Sequence, residues 1–280
     1  MLVRGRNTSP PCYGATPEPL SIHRWTRTAT PRTTSLGFMT PSIHRESRPR
    51  FGVEIAALGV VAAVLLVVGL NSLFSRGIVL DQQLGTLLSY LVAWVPLLGA
   101  VLIFCFGFGT RSLVRDIGLL FRPLDVLWGL TVGVVARVLA TIVEIAGYGR
   151  MGSAGATLGE PVRDLWWLFV VLLAPVVLSP FIEEMFFRGL VLRSVRGAAS
   201  GRAVSPAVAA GTAVVVSAAV FALVHVIDTG SVTATVVIGV STFLFGLGAG
   251  ALTVMTGRLG GAIVAHVTFN ALVVVPALLG

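Results

Sequence analysis

The sequence predicts an all-α protein, a polytopic bundle of membrane-spanning helices. Hydrophobic residues make up 55% of its 280 residues and charged residues only 11%, less than half of the roughly 25% found in soluble domains. The mean hydropathy is +0.93. Apolar runs recur along the chain at about the 20 residues that a helix needs to cross a bilayer. A single membrane domain therefore explains the composition better than one or two soluble domains would.

Residues 1–50 differ in composition from the rest of the chain. They are rich in Arg, Pro, Thr and Ser and have no hydrophobic period, which predicts a disordered tail. Eight of the chain's 20 basic residues lie here, and all 20 are Arg. Because this tail adjoins a membrane span, we expect it to meet anionic lipid headgroups rather than nucleic acid. Residues 51–280 are the predicted membrane domain.

Seven apolar segments are predicted to cross the membrane. The fourth is too long for one straight span, and Pro175 and Pro180 are expected to kink or divide it; division would give eight spans. Gly129–Gly133 and Gly246–Gly250 have the spacing that lets helices approach closely. The seven segments lie at 52–74, 84–106, 124–146, 164–195, 206–227, 233–254 and 260–279.

The distribution of arginine predicts the orientation. Fifteen Arg lie in the tail, in the regions 107–123 and 193–205, and at position 258. The opposite loops carry only Arg76, Arg150 and Arg163. Since basic residues accumulate on the cytosolic side, the N-terminus is expected in the cytosol. Exclusive use of Arg, with abundant Ala, Val and Gly, favours a bacterial plasma membrane.

Several polar side chains lie in segments that should be apolar. A charged group near the centre of a membrane helix costs about 2.5–3.5 kcal/mol on insertion scales. Such groups must therefore face the interior of the bundle or a wet cavity and neutralise one another where they can. The side chains concerned are Glu183, Glu184, Arg188, His225, His266 and Asn270.

Their spacing predicts which of them lie together. Glu184 and Arg188 are four residues apart and can pair along one helix face. Glu183 lies about 100° around the same helix and stays free for another partner. His266 and Asn270 repeat the four-residue spacing on the last segment, as Phe221 and His225 do on the fifth. Three helices can thus direct polar groups into one pocket.

These groups have the chemistry needed to add water to an amide. A free carboxylate such as Glu183 can take a proton from water. The N–H groups of imidazole and of the Asn270 amide can stabilise the negative oxygen that develops in that reaction. His225 and His266 supply the two imidazoles.

Other interpretations remain open at this point. Glu184 and Arg188 can be a structural ion pair, and either histidine can simply form a hydrogen bond between helices. Carboxylate and imidazole also suit zinc, so Glu183, His225 and His266 are the ligands to expect if the site binds a metal. The zinc-protease motif His-Glu-x-x-His is absent from the sequence.

Three motifs together resemble a known family. They are, in order, Glu183-Glu184-x-x-x-Arg188, Phe221-x-x-x-His225 and His266-x-x-x-Asn270. This set resembles the CAAX-protease and bacteriocin-processing family, which consists of intramembrane glutamic endopeptidases related to type II CAAX prenyl proteases. The resemblance covers about residues 164–275.

The resemblance implies a role for each motif residue. Glu183 would activate water with help from His225, and His266 with Asn270 would form the oxyanion hole. Glu184 and Arg188 would brace the site, with Phe221 supporting it. No cofactor is implied.

The leading hypothesis is accordingly an intramembrane endopeptidase that acts on a peptide or membrane-protein substrate. An ion- or proton-coupled transporter could use the same carboxylates as a relay, but the sequence has no evident internal repeat of the kind transporters have. A non-catalytic immunity or assembly factor is the third hypothesis.

Helix geometry conflicts with the motifs at one point. At 1.5 Å per residue, the predicted spans place Glu183 toward the cytosolic side and His225 near the outer end of its helix, too far apart to touch. Either the fourth helix shifts at Pro180, or the chain near Asp228 turns within the protein, which is tolerated where it lines a cavity.

The predicted orientation can be tested by cysteine labelling in intact cells. In a variant without Cys12 and Cys105, Ser112→Cys and Gly201→Cys should resist a membrane-impermeant thiol reagent, because both positions are predicted to face the cytosol. Arg76→Cys, on the opposite side, is the matched control and should react. Ready external labelling at position 112 or 201 would reverse the orientation.

Overall fold

The structure is a computed structural model that describes residues 51–151, 164–201 and 204–279, and all regular structure in these ranges is helical. The predicted tail, residues 1–50, lies outside the described residues. The helices are α1 (Gly52–Ser75), α2 (Gln82–Phe108), α3 (Leu113–Asp116), α4 (Pro123–Tyr148), α5 (Leu165–Ser200), α6 (Pro206–His225), α7 (Val232–Thr256) and α8 (Gly260–Leu279).

Six of the described helices, α1, α2 and α4 to α7, are long and apolar enough to cross a membrane. The apolar part of α8, Gly260–Pro276, is shorter. Large apolar side chains such as Leu58, Leu127 and Val236 are exposed on their outer faces. An apolar surface of this extent is unfavourable in water and is suited to lipid. The chain is an integral membrane protein with an all-helical fold.

Local sequence signals set several helix ends. The Asp81 carboxylate accepts hydrogen bonds from the backbone N–H groups of Gln83 and Leu84 at the start of α2. Ser205 caps α6 in the same way through Val208 N–H, ahead of Pro206 at the first helical position. Gly149 ends α4 with a φ of 72°, a left-handed conformation that favours glycine.

The fourth predicted span is one unbroken helix, so the division considered above does not occur. Helix α5 runs through both Pro175 and Pro180 and continues to Ser200, five residues beyond the predicted end. It accommodates the prolines with wider, π-helical turns over Leu168–Leu178, and a second such stretch covers Met185–Val191. Local π adjustments of this kind let a membrane helix tolerate proline.

Polar contacts hold together the loops that the arginine distribution placed on one side. The Arg258 guanidinium donates to both oxygens of Asp125 at the start of α4, at 2.9 and 3.0 Å from Nε. Arg193, near the end of α5, donates to the Gly257 carbonyl oxygen at 2.7 Å. The Leu259 N–H donates to the Gly118 carbonyl. The ends of α5, α7 and the α3–α4 loop therefore share one side of the bundle.

Glycine brings α4 into close contact with α8, as its spacing predicted. A methyl group at Gly129 would lie 2.7 Å from the Gly261 carbonyl oxygen, and one at Gly133 would lie 2.6 Å from that of Ala265. Gly246 of α7 is equally close to Ala218 of α6, where a methyl group would lie 2.9 Å from the Ala218 Cα. These contacts pair α4 with α8 and α6 with α7.

Gly133→Ala should therefore destabilise the protein, because the new methyl group meets backbone that cannot move aside. The expected cost is about 1–3 kcal/mol, as for other overpacked sites, visible as a lower thermal midpoint in detergent. Gly69→Ala is the matched control, since nothing lies within 4 Å of the added atom. Equal midpoints for the two variants would contradict the close packing of α4 on α8.

Candidate active site

The two glutamates of the first motif lie near the middle of α5, level with the end of α6. Glu183 precedes Ser200 by 17 residues, and His225 follows Pro206 by 19 residues. At 1.5 Å per residue, Glu183 therefore lies about 25 Å and His225 about 28 Å along their helices from the α5–α6 connection. The sequence-based estimate placed Glu183 too far from His225 because the predicted fourth span ended at residue 195, whereas α5 continues to Ser200. Neither a shift at Pro180 nor a buried turn at Asp228 is needed to explain the contact.

Arg188 and Glu184 form the most deeply buried part of the site. Both side chains are 0% exposed, and the Arg188 Nη1 atom lies 3.1 Å from Glu184 Oε1. The Arg188 nitrogens nevertheless have no aligned hydrogen bond among the described residues, so the guanidinium is held chiefly by charge. Removing one member of such a pair leaves the other uncompensated in a low-dielectric interior.

Aromatic rings complete the surroundings of Arg188. Its guanidinium carbon lies 4.5 Å from the centroid of the Phe221 ring and 5.5 Å from that of Phe245. Contacts of this length allow a cation–π attraction, which is strongest where water is excluded. Phe245, on α7, also lies 4.6 Å from the His266 ring. Sequence analysis identified Phe221 from its motif but missed Phe245, which lies in a run of apolar residues.

His266 links the buried ion pair to the second glutamate. Its Nδ1 lies 2.8 Å from Glu184 Oε1, and its Nε2 lies 3.9 Å from Glu183 Oε2. Since a carboxylate accepts and does not donate, His266 Nδ1 carries the hydrogen of the shorter contact. The ring therefore turns its Nε2 toward Glu183.

His225 approaches Glu183 in the same way. Its Nδ1 lies 2.7 Å from the Phe221 carbonyl oxygen, which can only accept, so Nδ1 again carries the hydrogen. Its Nε2 lies 3.7 Å from Glu183 Oε2. Two imidazole Nε2 atoms thus face one carboxylate oxygen. Two atoms that are 3.7 Å apart, such as Glu183 Oε2 and His225 Nε2, can each lie about 2.8 Å from a single water placed beside the line that joins them.

Exposure distinguishes Glu183 from Glu184. The Glu183 side chain is 18% exposed and that of His225 is 31% exposed, whereas Glu184 and His266 are 0% and 4% exposed. The site therefore has an accessible edge formed by Glu183 and His225 and a closed interior formed by Glu184, Arg188 and His266.

The fourth candidate, Asn270, has a different neighbour. Its Nδ2 donates to the Pro175 carbonyl oxygen at 2.8 Å. Among the described contacts it has none with Glu183 or with either histidine. One of its two amide hydrogens is committed to the backbone of α5, and no described residue accepts the other.

The zinc hypothesis can be tested against the arrangement of possible ligands. Within the described ranges, no three His, Cys, Asp or Glu side chains are grouped so that they could hold a metal ion. Glu183, His225 and His266, the ligands expected for that hypothesis, do lie together, with the Nε2 atoms of both histidines facing Glu183 Oε2.

Sequence analysis also missed a second buried ion pair. Arg137 and Glu144 pair on α4, and the Arg137 guanidinium lies 5.7 Å from the centroid of the Phe269 ring on α8. The signal that revealed the other charges, an ionisable residue in an apolar segment, was present here too. Tyr90 and Trp94 of α2, which contact α5 near the site, gave no such signal.

Part of the chain matches a protein-family model. Residues 165–272 match the family described as type II CAAX prenyl endopeptidase Rce1-like. The matched range contains all three motifs. No curated protein and no solved structure matches the chain.

The buried ion pair predicts a difference in stability between two variants. Arg188→Ala should lower the free energy of unfolding by about 3–5 kcal/mol, because Glu184 is left buried without its cation. Arg115→Ala, which removes an exposed arginine, is the matched control and should change it by less than about 0.5 kcal/mol. Thermal unfolding in detergent measures both. If Arg188→Ala and Arg115→Ala unfold at the same midpoint, the buried ion pair does not contribute measurably to the free energy of unfolding.

Proposed function

Because residues 165–272 belong to the Rce1-like type II CAAX prenyl endopeptidase family, we propose that this protein is an intramembrane protease that hydrolyses a peptide bond with water activated by Glu183. The observation that carries the proposal is the position of Glu183. Its Oε2 is buried and has no hydrogen-bond partner among the described residues, and it lies 3.7 Å from His225 Nε2 and 3.9 Å from His266 Nε2, while the Glu183 side chain as a whole is 18% exposed.

Glu183 acts as the general base. A water bound between its Oε2 and the Nε2 of His225 loses a proton to the carboxylate as its oxygen attacks the scissile carbonyl carbon. His225 holds that water through the lone pair of Nε2, because its Nδ1 hydrogen is committed to the Phe221 carbonyl. The proton then passes from Glu183 to the leaving amine as the C–N bond breaks.

His266 stabilises the negative oxygen of the intermediate, which requires a hydrogen on Nε2 as well as on Nδ1. His266 contacts both carboxylates, and its Nε2–H is then a charge-assisted donor. The uncommitted amide hydrogen of Asn270 is the second donor.

Glu184, Arg188 and Phe221 brace this chemistry. Glu184 holds the His266 ring through Nδ1, Arg188 neutralises Glu184, and the Phe221 ring lies against Arg188 and 4.3 Å from the centroid of the His225 ring. Donors held in place before the reaction are the main source of catalysis in such sites.

The family description names the class of substrate to test first, a prenylated peptide of the CAAX type. We further propose that α8 is a seventh span, that the N-terminus is cytosolic in a bacterial plasma membrane, and that the Arg-rich tail meets anionic lipid there.

Glu183→Ala should abolish cleavage of such a peptide in an ordinary assay. Losing a general base costs about 10²–10⁴ in turnover. Asn270→Ala should leave detectable cleavage, because losing one oxyanion donor typically costs about 10²–10³. Glu54→Ala, at an exposed glutamate in the first turn of α1, is the matched control and should cleave like the wild type. The measurement is kcat of purified protein in detergent or nanodiscs.

Three results would contradict this mechanism. Normal cleavage by Glu183→Ala would exclude protease chemistry at this site. Loss of activity on thorough chelation, restored by one equivalent of zinc, would convert Glu183, His225 and His266 into metal ligands. A folded wild-type protein that cleaves no peptide would favour the non-catalytic membrane factor.

A further inference from the structure

The part of α5 that precedes the glutamates has an unusual backbone. Over Leu168–Leu178 the helix is π-helical, and at its end the Ser179 N–H donates to the Ala174 carbonyl, five residues back. In this register the carbonyl of residue i accepts from residue i+5. Pro175 and Pro180 have no N–H, so the carbonyls of Val170 and Pro175 lack their backbone donors.

Side chains from two other helices donate to these same two carbonyls. The Tyr90 hydroxyl of α2 donates to the Val170 carbonyl oxygen at 2.9 Å. The Asn270 amide of α8 donates to the Pro175 carbonyl oxygen at 2.8 Å. An unpaired carbonyl at membrane depth would cost several kcal/mol. For each proline, a side chain of another helix thus replaces the missing backbone donor, which lowers the cost of the π register.

Helix α2 makes a second contact one turn further on. The Trp94 ring stacks on Tyr90, with centroids 4.9 Å apart, and its Nε1 donates to the Ser179 hydroxyl at 2.9 Å. Ser179 directly precedes Pro180 and lies one turn before Glu183. The contacts of α2 therefore span the stretch of α5 that leads into the catalytic turn.

The register of this stretch decides where Glu183 points. A π turn holds one more residue than an α turn, so relaxing one π turn to α would rotate the following helix by the roughly 100° that one residue occupies. Such a rotation would carry Glu183 away from His225 and His266, which now lie 3.7 and 3.9 Å from its Oε2.

We propose that Tyr90 is a positioning residue for Glu183. Its hydroxyl donates to the Val170 carbonyl, which has no backbone donor because Pro175 lacks an N–H. This hydrogen bond stabilises the π register of α5 and so keeps Glu183 facing the two imidazoles. This inference rests on the proposed function insofar as its main readout is turnover.

The first test is Tyr90→Phe, which removes only the hydroxyl. Turnover of the folded enzyme should fall roughly 10–100-fold, since small misplacements of a catalytic group cost up to about that much, while KM stays within about twofold of the wild type. Tyr148→Phe, at the end of α4, is the matched control, because its hydroxyl has no hydrogen bond among the described contacts. It should leave both constants unchanged.

A double-mutant cycle identifies the carbonyl as the cause. Pro175→Ala restores an N–H that can donate to Val170, so Tyr90→Phe in that background should cost at most about twofold in kcat. An equal loss in both backgrounds would overturn the inference, and so would Tyr90→Phe that turns over like Tyr148→Phe. If Pro175→Ala does not fold, the comparison of the two tyrosine variants decides alone.

Thermal unfolding of the same set of variants separates this inference from the proposed function, because the unfolding midpoint does not depend on proteolysis. Tyr90→Phe should lower the unfolding midpoint in the wild-type background and lower it less in Pro175→Ala. That coupling is measurable even if Glu183→Ala shows that the protein is not a protease. Without coupling in the midpoints or in kcat, the hydroxyl does not act through the Pro175 register.

Discussion

Burial of the Arg188 guanidinium is the constraint on which the rest of the site depends. A fully buried cation in a membrane helix bundle requires a counter-charge and polarisable neighbours, and these come from three helices. Glu184 supplies the charge from α5, Phe221 the nearer ring from α6 and Phe245 the farther ring from α7. Glu184 in turn holds His266 of α8. One buried charge thus specifies how four helices meet.

This closed interior gives Glu183 its distinct surroundings. Its neighbour Glu184 is paired with Arg188 and buried, whereas Glu183 lies at the accessible edge, facing two imidazoles whose orientation is set on their far sides by Phe221 and Glu184. Two consecutive glutamates of the same chemistry therefore have different environments, because one helical step of about 100° moves a side chain from the interior to the edge.

The helix that carries the glutamates is also the one whose backbone departs most from α geometry. Its prolines remove donors, and its π turns would be costly in isolation, yet the freed carbonyls are satisfied by Tyr90 and Asn270. Asn270 reaches α5 from α8, which itself packs closely on glycines of α4. The irregular stretch depends on donors from two other helices, which links the packing of those helices to the direction of the Glu183 side chain.

Composition and spacing alone predicted the class of fold, the positions of the apolar helices and a pocket that contains Glu183, Glu184, Arg188, His225 and His266, although the predicted helix ends kept Glu183 and His225 apart. They could do so because apolar length and charges in apolar segments are local properties that the bilayer penalises directly. Only the tertiary structure decided that α5 continues to Ser200 through both prolines, that Phe245 faces Arg188 and that Asn270 donates to Pro175. These features depend on which helices are neighbours, and an apolar ring or a tyrosine in a membrane helix looks the same in sequence whether it faces lipid or a buried polar site.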